Sequence, residues 1–218
     1  MKELCYTLVS DGSSDKALLS VLTWLLQINL INCAIQPSWA DFRHLPNRPK
    51  TLPCKIKAAL ELAPCNLLFV HRDAEKEPHH KRIEEIRQAI QELREFVSVP
   101  YVCVIPVHMT EAWFLFDEAA LRRAANNPHG RQELQFPPIT KLEQLPNPKH
   151  DLHQLLITAS GLTGRRLKQF RVHECVHRVA ENIDDFSPLR ALPAFNALEA
   201  EIKKVIQEQG WCSNSNVK

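Results

Sequence analysis

Carboxylates stand just past apolar runs at three places in this chain. Tyr6–Val9 runs into Ser10-Asp11-Gly12-Ser13-Ser14-Asp15. Leu67–Val70 runs into His71-Arg72-Asp73-Ala74-Glu75. Val102–Ile105 runs through Pro106 and His108 into Glu111, with Asp117 beyond it. If the apolar runs are strands of a parallel α/β sheet, their carboxyl ends share one edge, and ligands bind along that edge. Four or five carboxylates in one crevice repel each other unless protons or cations offset them. Oxygen clusters of this kind suit Mg²⁺ or Mn²⁺, so the pattern predicts a metal-dependent site for phosphate chemistry.

Each turn also has a plainer reading. Asp11 and Asp15 flank Gly12, which is free to take a positive φ, and Ser13 or Ser14 can cap the following helix. The two acids would then do no more than complement the helix dipole. Asp73 and Glu75, one residue apart after a wholly apolar strand, can face the same crevice, although Glu75-Lys76-Glu77-Pro78 also reads as an exposed helix start. Glu111 is tied to the core by Ala112, Trp113, Leu115 and Phe116, with Thr110 as a helix cap. Asp117 lies well round that helix and reads better as the cap of a further turn, so Glu111 is the stronger candidate.

The elements that must position these residues follow from periodicity. Strands are expected at Leu4–Val9, 32–39, Asn66–Val70 and Tyr101–Ile105, with helices at 15–29, 54–62, 81–96 and 111–125 between and after them. This β-α-β-α order predicts an α/β domain with a mostly parallel sheet flanked by helices over residues 1–125. Trp24, Leu68, Ile86, Val104 and Trp113 are expected in its core. A connector rich in proline, asparagine and glutamine follows at 126–148. A C-terminal helical region at 149–212 is expected to pack on the sheet domain, and 213–218 form a polar tail.

With 218 residues the chain can bury a real core. Its net charge of +2 predicts no partner by itself, but basic residues gather at Arg165, Arg166, Lys168 and Arg171, where a nucleic-acid backbone could bind. Gly161 in the same stretch serves equally well as a helix C-cap. No apolar run reaches the roughly 18–20 residues of a membrane span, and no signal peptide opens the chain, so a cytoplasmic location is expected. Seven cysteines, an odd number without a C-x-x-C pair, read as free thiols in a reducing compartment.

The acid-Gly-x-x-acid turn after the first strand, followed by an apolar strand running into Asp-x-acid, resembles the TOPRIM domain of topoisomerases, primases and overcoming-lysogenization-defect nucleases. The stretch Ile105–Leu115 is similar to a group of small TOPRIM-like proteins, some encoded beside ATPases in bacterial defence loci. The resemblance covers residues 4–125. It implies a TOPRIM-like fold and a Mg²⁺- or Mn²⁺-dependent nuclease or phosphoesterase acting on DNA or RNA, with an ATPase as a further partner. Asp11 takes the position of the family's general acid/base glutamate, Asp73 and Glu75 those of its metal ligands, and Glu111 that of a further acid. Two of these depart from the family pattern, Asp11 for Glu and Glu75 for Asp. A shorter first acid shifts its carboxyl by more than about 1 Å, enough to cost a large factor in rate. Arg72 either clamps a phosphate or holds Asp73.

A rival motif lies in the helical region. His173-Glu174-Cys175-Val176-His177 matches H-E-x-x-H, which on a helix sets two histidines one turn apart for zinc with the glutamate as general base. Glu181 or Glu199 would be the third ligand, and a zinc peptidase the activity. The same segment is an ordinary amphipathic helix with Cys175, Val176, Val179 and Ala180 on its apolar face. A TOPRIM-like scaffold that binds nucleic acid or an ATPase without catalysis is the remaining alternative.

Overall fold

A computed structural model describes residues 2–74, 77–107 and 109–211. The chain divides into two compact units, residues 1–105 with 197–218, and residues 106–196. In the first unit, β1 (Glu3–Val9), β2 (Ala34–Trp39), β3 (Leu67–His71) and β4 (Tyr101–Val104) form an all-parallel sheet in the order β2-β1-β3-β4. The α/β class and the flanking helices are those expected from periodicity. Every residue of β3 is buried, as a strand covered on both faces requires.

Strand alternation divides the core into two layers. Tyr6 points to α1 (Leu18–Asn29), where its hydroxyl donates to the Leu19 carbonyl at 2.9 Å and hydrogen-bonds the Thr23 hydroxyl at 2.8 Å. Phe69 meets Tyr6 edge to face, with ring centroids 5.2 Å apart, so it lies on the same side. Val9, Leu68 and Val70 point the other way. They pack against Ile56 and Ala59 of α2 (Leu52–Leu62) and Ile86 and Ala89 of α3 (His79–Glu92). Leu68, Ile86 and Val104 are buried as expected, whereas Trp113 is buried in the second unit and not in the core of the sheet. Trp24 is only half-buried, because the buried stripe of α1 runs through Leu18, Val21, Leu22, Leu25 and Leu26 and leaves Trp24 at its margin. The six described cysteines are free thiols.

The second unit is helical. The expected helix at 111–125 is broken into a 3-10 turn, Thr110–Phe114, and α4 (Glu118–Ala124). Asp117 causes the break: it has extended backbone and accepts from the Ala120 N–H at 2.8 Å, capping a new helix as its position suggested. The N-cap of the 3-10 turn is Met109 and not Thr110. The connector carries a short 3-10 segment, Ile139–Gln144, before α5 (Pro148–Ser160). Gly161, at φ 63°, ends α5 as its left-handed cap. After α6 (Gly164–Lys168) and α7 (Val172–Asn182), a 3-10 turn at Ser187–Ala191 leads into α8 (Pro193–Glu208). Helix α4 packs on α5 and α7, and Trp113 meets Phe195 edge to face at 5.5 Å. From Ala197 onward α8 belongs to the sheet unit, where Glu201 accepts from the backbone N–H of the edge-strand residue Cys103. Among the described residues no helix is long and apolar enough to cross a membrane.

Phe69 is fully buried and is the contact partner of the Tyr6 ring. Phe69→Ala is expected to cost about 3–5 kcal/mol of unfolding free energy in chemical denaturation. A loss below about 1 kcal/mol would contradict this packing.

Candidate functional site

Register decides which side chains meet. Val9 of β1 pairs with Val70 of β3, so the residues that follow them emerge side by side at the centre of the carboxyl edge. The sheet order also reverses here: the chain leaves β1 for β2 on one side and returns to β3 on the other. The crevice at such a switch point is where open α/β sheets bind ligands. Alternation then sorts the polar residues into two groups, with His71 continuing the Phe69 side and Asp11 and Arg72 continuing the side of Val9 and Val70.

The first group is Asp15, His71 and Asp73. The His71 ring is 1 % exposed, with Nδ1 3.5 Å from Asp15 Oδ2 and Nε2 3.3 Å from Asp73 Oδ1. Burial works against its charged form, but the two carboxylates held this close to its ring nitrogens outweigh that and raise its pKa to about 9. Asp15 is itself buried, which raises its pKa. His71, the Gly12 N–H at 2.8 Å and the Ser14 hydroxyl at 3.3 Å outweigh that, and the net shift is downward. The loop is braced from β2, where the Trp39 indole N–H donates to Ser10 Oγ at 3.0 Å and Ser10 Oγ donates to the Gly12 carbonyl. Two details differ from expectation. Gly12 does not adopt a positive φ, and neither Ser13 nor Ser14 caps the helix start, since Asp15 reaches back to the Gly12 N–H instead.

The second group is centred on Asp11. Its two oxygens lie 2.7 Å from Lys55 Nζ and 3.1 Å from Arg72 Nε. Arg72 also reaches Glu85 at 3.6 Å, and Glu85 takes both its oxygens to Arg82 Nη1 at 2.9 and 3.0 Å. Arg82 Nε donates to the Asp73 carbonyl at 3.1 Å. Arg72 therefore holds Asp11, while Arg82 fixes the backbone of Asp73.

Of the other sequence candidates, Glu75 lies outside the described residues. Glu111 belongs to the second unit, where it is buried in the 3-10 turn with Oε1 3.9 Å from Lys149 Nζ. Arg165, Arg166 and Lys168 are exposed on α6, and Arg171 is paired with Glu174 at 2.9 Å. His173 stacks edge-on against His153 at 4.7 Å. Among the described residues no third His, Cys, Asp or Glu joins His173 and His177 within ligand distance, and Glu174, the expected general base, is held by Arg171. A separate cavity of about 490 Å³ in the second unit, lined by Phe136, Leu145, Glu133 and Asp151 among others, contains none of the residues singled out from sequence.

Asp15, His71 and Asp73 are the one group of three ligand-type residues among those described whose ligand atoms all lie within 4.8 Å. An imidazole thus joins the carboxylates, where an oxygen-only cluster was expected. The set fits a divalent cation on one further observation. Asp73 Oδ1 is buried and, among the described residues, accepts no hydrogen bond of good geometry, a deficit that a cation beside it would relieve. His71, an imidazolium with both ring nitrogens turned to the carboxylates, has no lone pair to give a metal, so the ligands for a cation are the carboxylates, which suit Mg²⁺ or Mn²⁺. Sequence reasoning placed Asp11, Arg72 and Asp73 at this edge but missed His71 as the central group, and missed Lys55, Arg82 and Glu85 altogether. Comparison of the chain with protein-family models, curated proteins and solved structures finds no match.

The buried imidazolium sets a pH dependence. Its folded pKa of about 9 lies above the ordinary 6.5, so the folded state binds this proton more tightly. The resulting stabilisation is complete below about pH 6.5 and is lost as pH rises through 9, an effect on the order of 3 kcal/mol. Denaturation midpoints of the wild type should fall between pH 6.5 and 9, and those of His71→Gln should stay level there. A level wild-type profile would mean that His71 is neutral in the fold.

Proposed function

We propose that the β1–β3 crevice performs Mg²⁺- or Mn²⁺-dependent cleavage of phosphodiesters in nucleic acid, with Asp15 and Asp73 holding the cation beside His71. The observation that carries this reading is the convergence of these three residues at the switch point of a parallel sheet. The cation would supply the positive charge that neutralises the phosphate and its leaving oxygen. His71 orients both carboxylates from beneath. The braced Ser10–Asp15 loop holds Asp15 in place, and Arg82 holds the Asp73 backbone, so little reorganisation is needed when substrate arrives.

The TOPRIM resemblance supports the same chemistry but assigns the residues differently. It gives Asp11 the acid/base role, whereas both Asp11 oxygens are engaged by Lys55 and Arg72. In our reading Asp15 takes the metal-binding place beside Asp73, and Asp11 belongs to the cationic side of the crevice. The exposed Arg165, Arg166 and Lys168 would contact the nucleic-acid backbone, and a cytoplasmic setting beside an ATPase partner in bacterial defence is compatible with that activity.

Purified protein incubated with single- and double-stranded DNA and RNA should cut at least one substrate in Mg²⁺ or Mn²⁺ and none in EDTA. Asp73→Ala should lower the rate at least about 100-fold, the scale of losing a group that positions transition-state charge. Arg165→Ala with Arg166→Ala should mainly weaken binding and flatten its salt dependence. Survival of every substrate in both metals, alone and with an ATPase encoded next to the gene, would exclude the nuclease reading and leave a binding scaffold.

A further inference from the structure

We propose that Lys55 and Arg72 form a clamp for a phosphate group, and that Asp11 is its displaceable occupant in the ligand-free chain. The inference rests on the reading of this crevice as a phosphodiester site, since it names the part of that site that receives the phosphate. It requires no metal, however, and can fail or succeed independently.

The Lys55 side chain is 17 % exposed and that of Arg72 26 %. Cations withdrawn from water to this extent need an anion beside them. Asp11 supplies it, with one oxygen on Lys55 Nζ at 2.7 Å and the other on Arg72 Nε at 3.1 Å. Asp11 itself is 48 % exposed and lies on the short loop after β1. The anchored members of this trio are therefore the two cations, and the anion is the member free to leave. A Lys and an Arg converging on two oxygens of one anion also match a tetrahedral phosphate, with a point charge on one side and a planar N–H donor on the other.

The surrounding groups keep the clamp in place when Asp11 swings out. Arg72 leaves directly from the end of β3, and its backbone N–H donates to the Val104 carbonyl at 3.1 Å. Lys55 stands in the first turn of α2, which is capped by the Thr51 hydroxyl. Glu85, the other carboxylate within reach of Arg72 among the described residues, is held on both oxygens by Arg82, so it does not replace Asp11 on Lys55. A departing Asp11 thus takes the anion from Lys55 Nζ and Arg72 Nε, while Arg72 Nη2 keeps Glu85 at 3.6 Å. The same crevice carries Asp73 next to Arg72 in the chain, which puts the clamp beside the proposed cation site and suits it to a phosphate of the substrate.

The test is calorimetric titration of inorganic phosphate in EDTA and a phosphate-free buffer. Wild type should bind weakly, because phosphate must displace Asp11. Asp11→Asn should bind about tenfold more tightly, a gain that misfolding cannot produce. Lys55→Met, which keeps the buried aliphatic stem, should abolish binding, and Lys55→Arg should restore it. A thermal melt on each variant confirms that it is folded. Competition by a short single-stranded oligonucleotide would assign the clamp to a nucleic-acid backbone phosphate. Phosphate binding without such competition would assign it to a free or terminal phosphate. Equal affinity in wild type and Asp11→Asn, or undiminished binding by folded Lys55→Met, would overturn the proposal. Because no metal is present, that failure leaves the metal-dependent reading untouched, and a failed nuclease assay leaves the clamp untouched.

Discussion

The pairing of β1 with β3 is the constraint on which the site depends. These two central strands are parallel and paired through Val9 and Val70, so their exits lie at the same level. Every polar residue that follows inherits its direction from strand alternation. Shift the register by one residue and His71 would turn from the α1 side, where Asp15 waits, to the side of Lys55 and Glu85. What holds the register is apolar burial. Phe69 must meet Tyr6 on one face, and Leu68 and Val70 must meet α2 and α3 on the other. The chemistry-bearing residues themselves contribute little to the choice, because most of them act only after the strands have ended.

The buried histidine shows how much of the site is shaped by solvation. A single imidazole sealed from water would stay neutral. Two carboxylates at 3.5 and 3.3 Å reverse that, and the three groups are stable only together. Removing either carboxylate leaves one buried nitrogen of His71 without the oxygen it faces, which costs more than the loss of an exposed pair. The braced loop from Ser10 to Asp15 follows from the same need, since Asp15 must be fixed where His71 requires it. Here the Trp39 indole of β2 does structural work at a distance, through Ser10 to the Gly12 carbonyl.

Much of the sheet unit was legible in the sequence, and the reasons are specific. Leu67-Leu68-Phe69-Val70 allows no face to water, and the apolar spacing of α1 leaves little doubt about which side it buries. The strand-end position of Asp11 and Asp73 was legible for the same reason. Which residues surround them was not. Lys55 lies forty-four positions from Asp11 in sequence, on a helix whose orientation periodicity does not give, and Glu85 and Arg82 look like ordinary surface charges of a charged helix. His71 looked like a neighbour of the site because its burial could not be seen until the strand was paired on both sides. Asp15 was legible as an acid at a helix start but not as a partner for a histidine fifty-six residues away. In the second unit, Asp117 ended one helical segment and began another, a local capping effect that apolar spacing alone does not reveal.

The two groups at the crevice differ in the charges they gather, and this is the strongest physical link between them. On the α1 side, His71 as imidazolium stands between the carboxylates of Asp15 and Asp73. On the α2 and α3 side, Lys55 and Arg72 meet on Asp11, and Arg72 and Arg82 meet on Glu85. Consecutive residues, His71, Arg72 and Asp73, supply members of both groups, so the groups are neighbours. Charges this close, on side chains partly withdrawn from water, are not screened from each other. A ligand that carried a cation and a phosphate together would meet carboxylates on one side and the Lys55–Arg72 pair on the other, each of the matching sign.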